Sequence, residues 1–249
     1  MSEFWEYKQR IKKFYTFSNE EIKGLIVSVI LLAFIWSFNY KSETFNLFNW
    51  FGNYFIALIM MAIAMFLHVS AQKIVGIRYG FYVEYKMWLN GLIAGVIVTL
   101  LTNGFLPLLI PGGIVLMHLT RLRIGEFRYG LNLLESNYTV LAGPFTNIFV
   151  AMFFKFLIWQ VLGFELQIVD DFFRLNLILA VYMLLPINPL PGVIAMIGSK
   201  LIYVYMFASF LSYSLLIILF NFYSVIWGAL IGGIIYITYY WTVERSKDE

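Results

Sequence analysis

His68 and Gln72 stand one helical turn apart in the run His68-Val69-Ser70-Ala71-Gln72, at the end of a long apolar segment. Two histidines at that spacing, with a glutamate after the first, make a hydrolytic zinc site. The imidazoles hold the metal and the carboxylate takes a proton from its water. Here only the first histidine stands: Val69 occupies the position of the base and Gln72 that of the second ligand. A carboxamide is at most a weak neutral oxygen donor, and valine donates nothing. The acidic residues do not repair the loss, because none falls inside an apolar run. Glu84, Glu126, Glu135, Glu165, Asp170 and Asp171 all read as lying in or beside loops. The same absence argues against an aspartyl protease. Gly198-Ser199 does not complete a serine-protease motif, and His118 reads as an interfacial residue, neither a ligand nor a catalytic partner. The chain has no cysteine, which removes disulfides and thiolate metal sites.

The elements that must position these residues are membrane helices. The chain of 249 residues is 61% hydrophobic and 12% charged, with a mean hydropathy of +0.81, far from the roughly 25% charge of soluble domains. About 20 apolar residues cross a bilayer. Such runs are expected at 24–40, 52–72, 138–162, 172–190, 199–220 and 223–243, six spans in all. Two shorter pieces, 88–104 and 105–119, form a re-entrant helix/β-hairpin segment, because Pro107, Pro111, Gly112 and Gly113 break helix there. The first run follows a mixed-charge stretch and lacks a small-residue cleavage site, so it reads as a span and not a signal peptide. Residues 1–23, with Phe4, Trp5, Phe14 and Tyr15 among basic residues, are expected to lie on the inner leaflet. With the N-terminus inside, Lys8, Arg10, Lys12, Lys13, Lys23, Lys73, Arg78, Lys86, Arg121, Arg123, Arg128, Lys200, Arg245 and Lys247 face the cytoplasm. Only Lys41, Lys155 and Arg174 remain outside. That asymmetry predicts a multi-pass cell-membrane protein with both termini cytoplasmic. The net charge of +3 fits membrane surfaces and gives no reason to expect nucleic acid.

In this topology three segments share the inner half of the bilayer: His68–Gln72, Ala142-Gly143-Pro144-Phe145-Thr146-Asn147, and Leu185-Pro186-Ile187-Asn188-Pro189-Leu190-Pro191-Gly192. Together they resemble the site-2 protease family of intramembrane zinc metalloproteases, in its compact prokaryotic branch. That family carries an H-E-x-x-H helix, a G-P-x-x-N motif and an L-P-I-P-P-L-D-G motif. Gly143-Pro144-Phe145-Thr146-Asn147 matches the second in full. In the third, Asn188 stands for a proline and Pro191 for the aspartate that ligates zinc. Arg78-Tyr79-Gly80 resembles the tail after the motif helix, and Pro111–Met117 resembles a membrane-embedded Gly-rich β segment. The likeness covers about residues 52–200 of a single membrane domain, 1–249, with two C-terminal helices in 199–243.

The resemblance implies a site-2-protease-like core in an otherwise all-α polytopic fold, with most of its chemistry lost. His68, Val69, Gln72 and Pro191 are vestigial positions. His68 is the one ligand that could be retained, so no metal cofactor is expected. A groove for a substrate or partner would use Gly112, Gly113, Gly143, Pro144, Asn147 and Asn188. The leading expectation is a pseudoprotease that binds a transmembrane protein partner or substrate helix within the lipid bilayer. Its alternatives are an active zinc protease with an unconventional site, and a small-molecule or lipid carrier. The carrier is disfavoured by the lack of ionisable residues at the expected midplane.

Overall fold

The computed structural model describes residues 3–38, 47–119, 132–163, 166–220 and 224–245. Arg121, Arg123, Arg128, Lys41, Lys247, Glu126 and Glu165, which entered the expectations above, lie outside them. The described residues are mostly helical and cluster into two compact units, Met1–Leu131 and Asn132–Glu249.

The first unit opens with helix α1 (Glu3–Phe14) and helix α2 (Asn19–Ser37). Ser18 caps α2: its hydroxyl accepts from the Glu21 backbone N–H at 3.2 Å, while the Glu21 carboxylate reaches back to the Ser18 N–H. This capping box satisfies donors that a helix start leaves bare. Helix α3 (Leu47–Arg78) is 32 residues long and carries the His68 segment. Met61, Met65, His68 and Gln72 recur at helical spacing along one buried stripe of it. Gly80, at φ +81°, turns the chain out of α3 into strand β1 (Phe81–Met87). Helix α4 (Leu89–Leu101) follows, and strand β2 (Gly112–His118) returns antiparallel to β1 with Val83 opposite Leu116. The re-entrant piece is therefore a helix between two paired strands. Strand β1 was not anticipated, although Phe81, Val83 and Tyr85 alternate inward as a half-buried strand requires.

The second unit contains α5 (Leu133–Leu162), α6 (Gln167–Met183), the short α7 (Pro191–Gly198), α8 (Lys200–Phe220) and α9 (Ser224–Tyr239), whose last turn widens to a π-turn at Tyr240–Glu244. Helices α8 and α9 approach closely where Gly228 and Gly232 meet Ser209 and Tyr213, the small-residue contact by which membrane helices pack.

Among the described residues, four helical segments are long and apolar enough to cross a membrane: Leu47–Arg78, Leu133–Leu157, Lys200–Ile217 and Ser224–Glu244. The other two expected runs form helices of a different character. Helix α2 starts with Glu20, Glu21 and Lys23 in its 19 residues. Helix α6 has 17 residues with Asp170, Asp171 and Arg174 in its first half; at 1.5 Å per residue it spans about 26 Å, against a hydrocarbon core of about 30 Å.

Candidate functional site

The first unit holds the His68–Gln72 segment on α3. His68, Val69 and Gln72 are all buried, on a helix that runs on to Arg78 and so places the motif within the element. The N-terminal segment lies against this stretch. The Tyr15 and Ser70 hydroxyls are 2.8 Å apart, and Phe17 stacks on Phe66. Tyr7 donates to the Ile74 carbonyl at 3.0 Å. Burial against α3 raises the Tyr7 hydroxyl above its ordinary pKa, an effect opposed by the nearby Arg78. The basic N-terminus, expected only as a surface anchor, is thus tied to the motif helix, while Phe4 and Trp5 remain exposed.

The largest departure from expectation is electrostatic. Lys73, assigned to an inner loop, is buried next to Gln72 and pairs with Glu21 at 2.9 Å, the two side chains being 2% and 0% exposed. The ammonium also donates to Thr16 O at 2.9 Å and Val83 O at 2.8 Å, and lies 4.6 Å from the Phe17 ring centre. Glu21 accepts from the Tyr85 N–H at 2.9 Å through its second oxygen. An ionisable pair therefore sits inside the unit, where charge was expected only near loops and span ends. The sequence signal was the Ser18-Asn19-Glu20-Glu21 capping pattern, which marks Glu21 as an inward-turned carboxylate.

This fixes the only buried carboxylate among the described residues on a lysine and a backbone N–H. The donors that the motif itself places on α3 are one imidazole and one carboxamide, short of the three protein ligands a catalytic zinc takes. No cluster of three His, Asp or Glu side chains suited to a metal occurs among the described residues. Among the described residues, the groups present do not make up the ligand set of a hydrolytic zinc centre.

Gly112 and Gly113 open β2. Gly112 has φ +145°, and a Cβ there would run into the Lys86 carbonyl, so only glycine lets the strands close at this end. The ladder's phase follows from its ends, where Leu119 N–H donates to Gly80 O and Trp88 N–H to Pro111 O. Residues 82, 84 and 86 therefore bond to 117, 115 and 113, respectively. The backbone groups of Gly112, Ile114, Leu116 and His118 point to the far edge, and no hydrogen bond reaches them among the described residues of this unit.

In the second unit Gly143, Pro144 and Asn147 lie on α5. The Asn147 side chain is fully buried, and neither its oxygen nor its nitrogen has a hydrogen-bond partner among the described residues. Asn188 is exposed in the connection after α6, and Pro191 is buried as the first residue of α7. Pro191 there fills a helix-start position, where its missing N–H is not needed. The connection folds tightly on itself: Tyr203 donates to Leu184 O at 3.0 Å, and a Cβ on Gly192 would strike that same carbonyl. Helix α7 docks on α5 through Asn137, whose Nδ2 donates to Ala195 O at 3.2 Å. The structure thus groups His68, Val69, Gln72, Gly112 and Gly113 in one unit, and Gly143, Pro144, Asn147, Asn188 and Pro191 in the other.

No family model matches the chain, and no solved structure matches it. A curated protein of Methanocaldococcus jannaschii, named "Putative zinc metalloprotease MJ0611", is 31% identical over 183 residues, covering 72% of this chain and 84% of the relative. Similarity of that extent is shared descent, and the chain belongs to the metalloprotease family of this archaeal protein.

Proposed function

We propose that the chain is a catalytically degenerate member of the site-2 protease branch of that family, a pseudoprotease that holds a segment of a membrane-protein partner. The observation that carries this reading is the donor set on α3, with His68 retained and Val69 and Gln72 in place of base and ligand, while the buried carboxylate of Glu21 on α2 is held by Lys73. Pro191, as a helix-start residue in place of an aspartate, agrees with it.

Two features support a binding role. The outer edge of β2 offers backbone groups that are unpaired among the described residues to an extended segment, the mode by which sheets add a strand. Asn147 offers a buried donor and acceptor without partners among the described residues, which costs stability unless something uses them. Gly112, Gly113, Gly143, Pro144, Asn147 and Asn188 are the proposed partner-contact positions. In this reading the chain lies in the cell membrane with six crossings and both termini cytoplasmic, α2 and α6 crossing with neighbours to shield their charges, and no metal is bound.

The test is zinc content by elemental analysis of the purified full chain, with cleavage of a reporter transmembrane substrate. Sub-stoichiometric zinc and no chelator-sensitive cleavage are expected. The relative's name favours a second reading, an active zinc protease with an unconventional site. Stoichiometric zinc with cleavage abolished by His68→Ala would establish that reading and overturn the first.

A further inference from the structure

We infer that the Lys73–Glu21 pair is a side-chain substitute for a third strand: it occupies the outer edge of β1 and leaves β2, among the described residues, as the sheet's open edge. The inference rests on the proposed pairing role of β2 and assigns these two residues to positioning it. In an antiparallel ladder the N–H and C=O of alternate residues point to opposite edges. Tyr82, Glu84 and Lys86 face β2, so Val83 and Tyr85 present their backbone groups outward. Those outward groups are where the pair sits. Lys73 Nζ donates to Val83 O at 2.8 Å, and Glu21 accepts from Tyr85 N–H at 2.9 Å. One donor and one acceptor, two residues apart, is the pattern a neighbouring strand would supply.

The pair is itself braced. Glu21 belongs to the capping box of α2, Lys73 to the motif helix α3, and the ammonium also takes Thr16 O at 2.9 Å. Both side chains are buried, so water does not compete for these bonds. A sheet with two open edges recruits strands on either side. Closing β1 with charge gives an incoming segment one edge and one register reference, and ties that edge rigidly to α2 and α3. Charged groups suit the task because a lone ammonium or carboxylate here would be strongly penalised. The pair therefore cannot slip away singly.

The test uses the full chain in detergent. Since the chain lacks cysteine, Lys86→Cys on β1 and Met117→Cys on β2 each give a single thiol at an exposed position. The probe is a synthetic alternating Val/Thr peptide with one terminal cysteine. Seated on β2 it lies about 4.8 Å from that strand and twice as far from β1. With the pair intact, disulfide formation at Met117→Cys should exceed that at Lys86→Cys by about 10-fold, the value of one hydrogen-bonded edge. In the Lys73→Met/Glu21→Leu background α2 still covers the outer side of β1 through Gly24 against Met87, so the preference for β2 should persist, but exchange of the Tyr85 amide should speed by about 10-fold. Equal linking with the pair intact overturns the inference, as does unchanged Tyr85 exchange in the double variant. Linking at neither strand in either background would sink the pairing role of β2 itself. Tyr85 exchange then decides alone whether the pair closes β1: acceleration supports it and no change overturns it. If the double variant does not fold, Glu21→Gln takes its place. It removes the charge and keeps an oxygen, so Tyr85 exchange should speed several-fold, and an unaltered rate overturns the inference.

Discussion

Replacing Lys73 by methionine removes one ammonium and should destabilise the first unit about as much as truncating a large buried apolar side chain. The substitution keeps the side chain's length and packing against Phe17, but leaves Glu21 as a buried charge and strips donors from Thr16 O and Val83 O. Breaking one side of a buried pair costs about 3–5 kcal/mol. Glu21 still accepts from the Tyr85 and Ser18 N–H groups, so the lower part of that range applies, about 3 kcal/mol. Salt should not change this, since neither partner is solvated enough to be screened. Glu21→Leu should cost a similar amount by stranding the ammonium. Lys73→Met/Glu21→Leu removes both charges together and leaves only backbone groups unpaired, so its cost should fall short of the sum of the singles by about 2–3 kcal/mol. The assay is thermal unfolding in detergent, where the single loss should appear as a midpoint drop of roughly 10 °C. Additive single and double effects would refute the reasoning, for they would mean the two charges do not stabilise one another.

Other perturbations follow from single distances or contacts. Gly112→Val places a branched side chain at φ +145° against the Lys86 carbonyl; a loss of about 3 kcal/mol or unpairing of β2 is expected, read as faster amide exchange across 112–118. Tyr15→Phe deletes the hydroxyl 2.8 Å from Ser70 and should cost about 1 kcal/mol, measured by the same melting assay; no change would mean that this hydroxyl pair does not help to hold the N-terminal segment on α3. Asn147→Leu removes a buried amide with no partners among the described residues, so it should raise the melting temperature while weakening partner capture in a co-purification assay. A cysteine placed at Asp248, on an otherwise cysteine-free chain, should react with a membrane-impermeant maleimide only after the cells are opened; labelling of intact cells would reverse the proposed orientation.

Sequence alone was sufficient for the class of molecule and for its ancestry. Low charge and long apolar runs require lipid, because so much apolar surface has no other stable solvent. The ordered set of His68–Gln72, Gly143–Asn147 and Leu185–Gly192 pointed to a metalloprotease lineage, and the 31% identity to the archaeal relative agrees with it. The substitutions at Val69, Gln72 and Pro191 were likewise plain, because ligand chemistry depends on residue type. Pro107, Pro111, Gly112 and Gly113 likewise marked a non-helical stretch, because proline and glycine act on their own backbone; α4 ends at Leu101 and β2 opens at Gly112.

What the tertiary structure decided is how charge and hydrogen bonds are spent. A lysine five residues after His68 reads as the end of a span until a carboxylate 52 positions earlier is folded against it. Hydropathy counts such a residue by its own cost in lipid and carries no information about its partner. Strand β1 was missed for a related reason: its seven residues pair with β2 only after α4 has brought the chain back, and a short alternating run has no meaning until an edge exists beside it. In the proposed function, the motif at His68 keeps one imidazole where an active zinc site would have a full ligand set. The fold adds that the neighbouring lysine is committed to holding a sheet, because a buried charge must be paired wherever the chain places it.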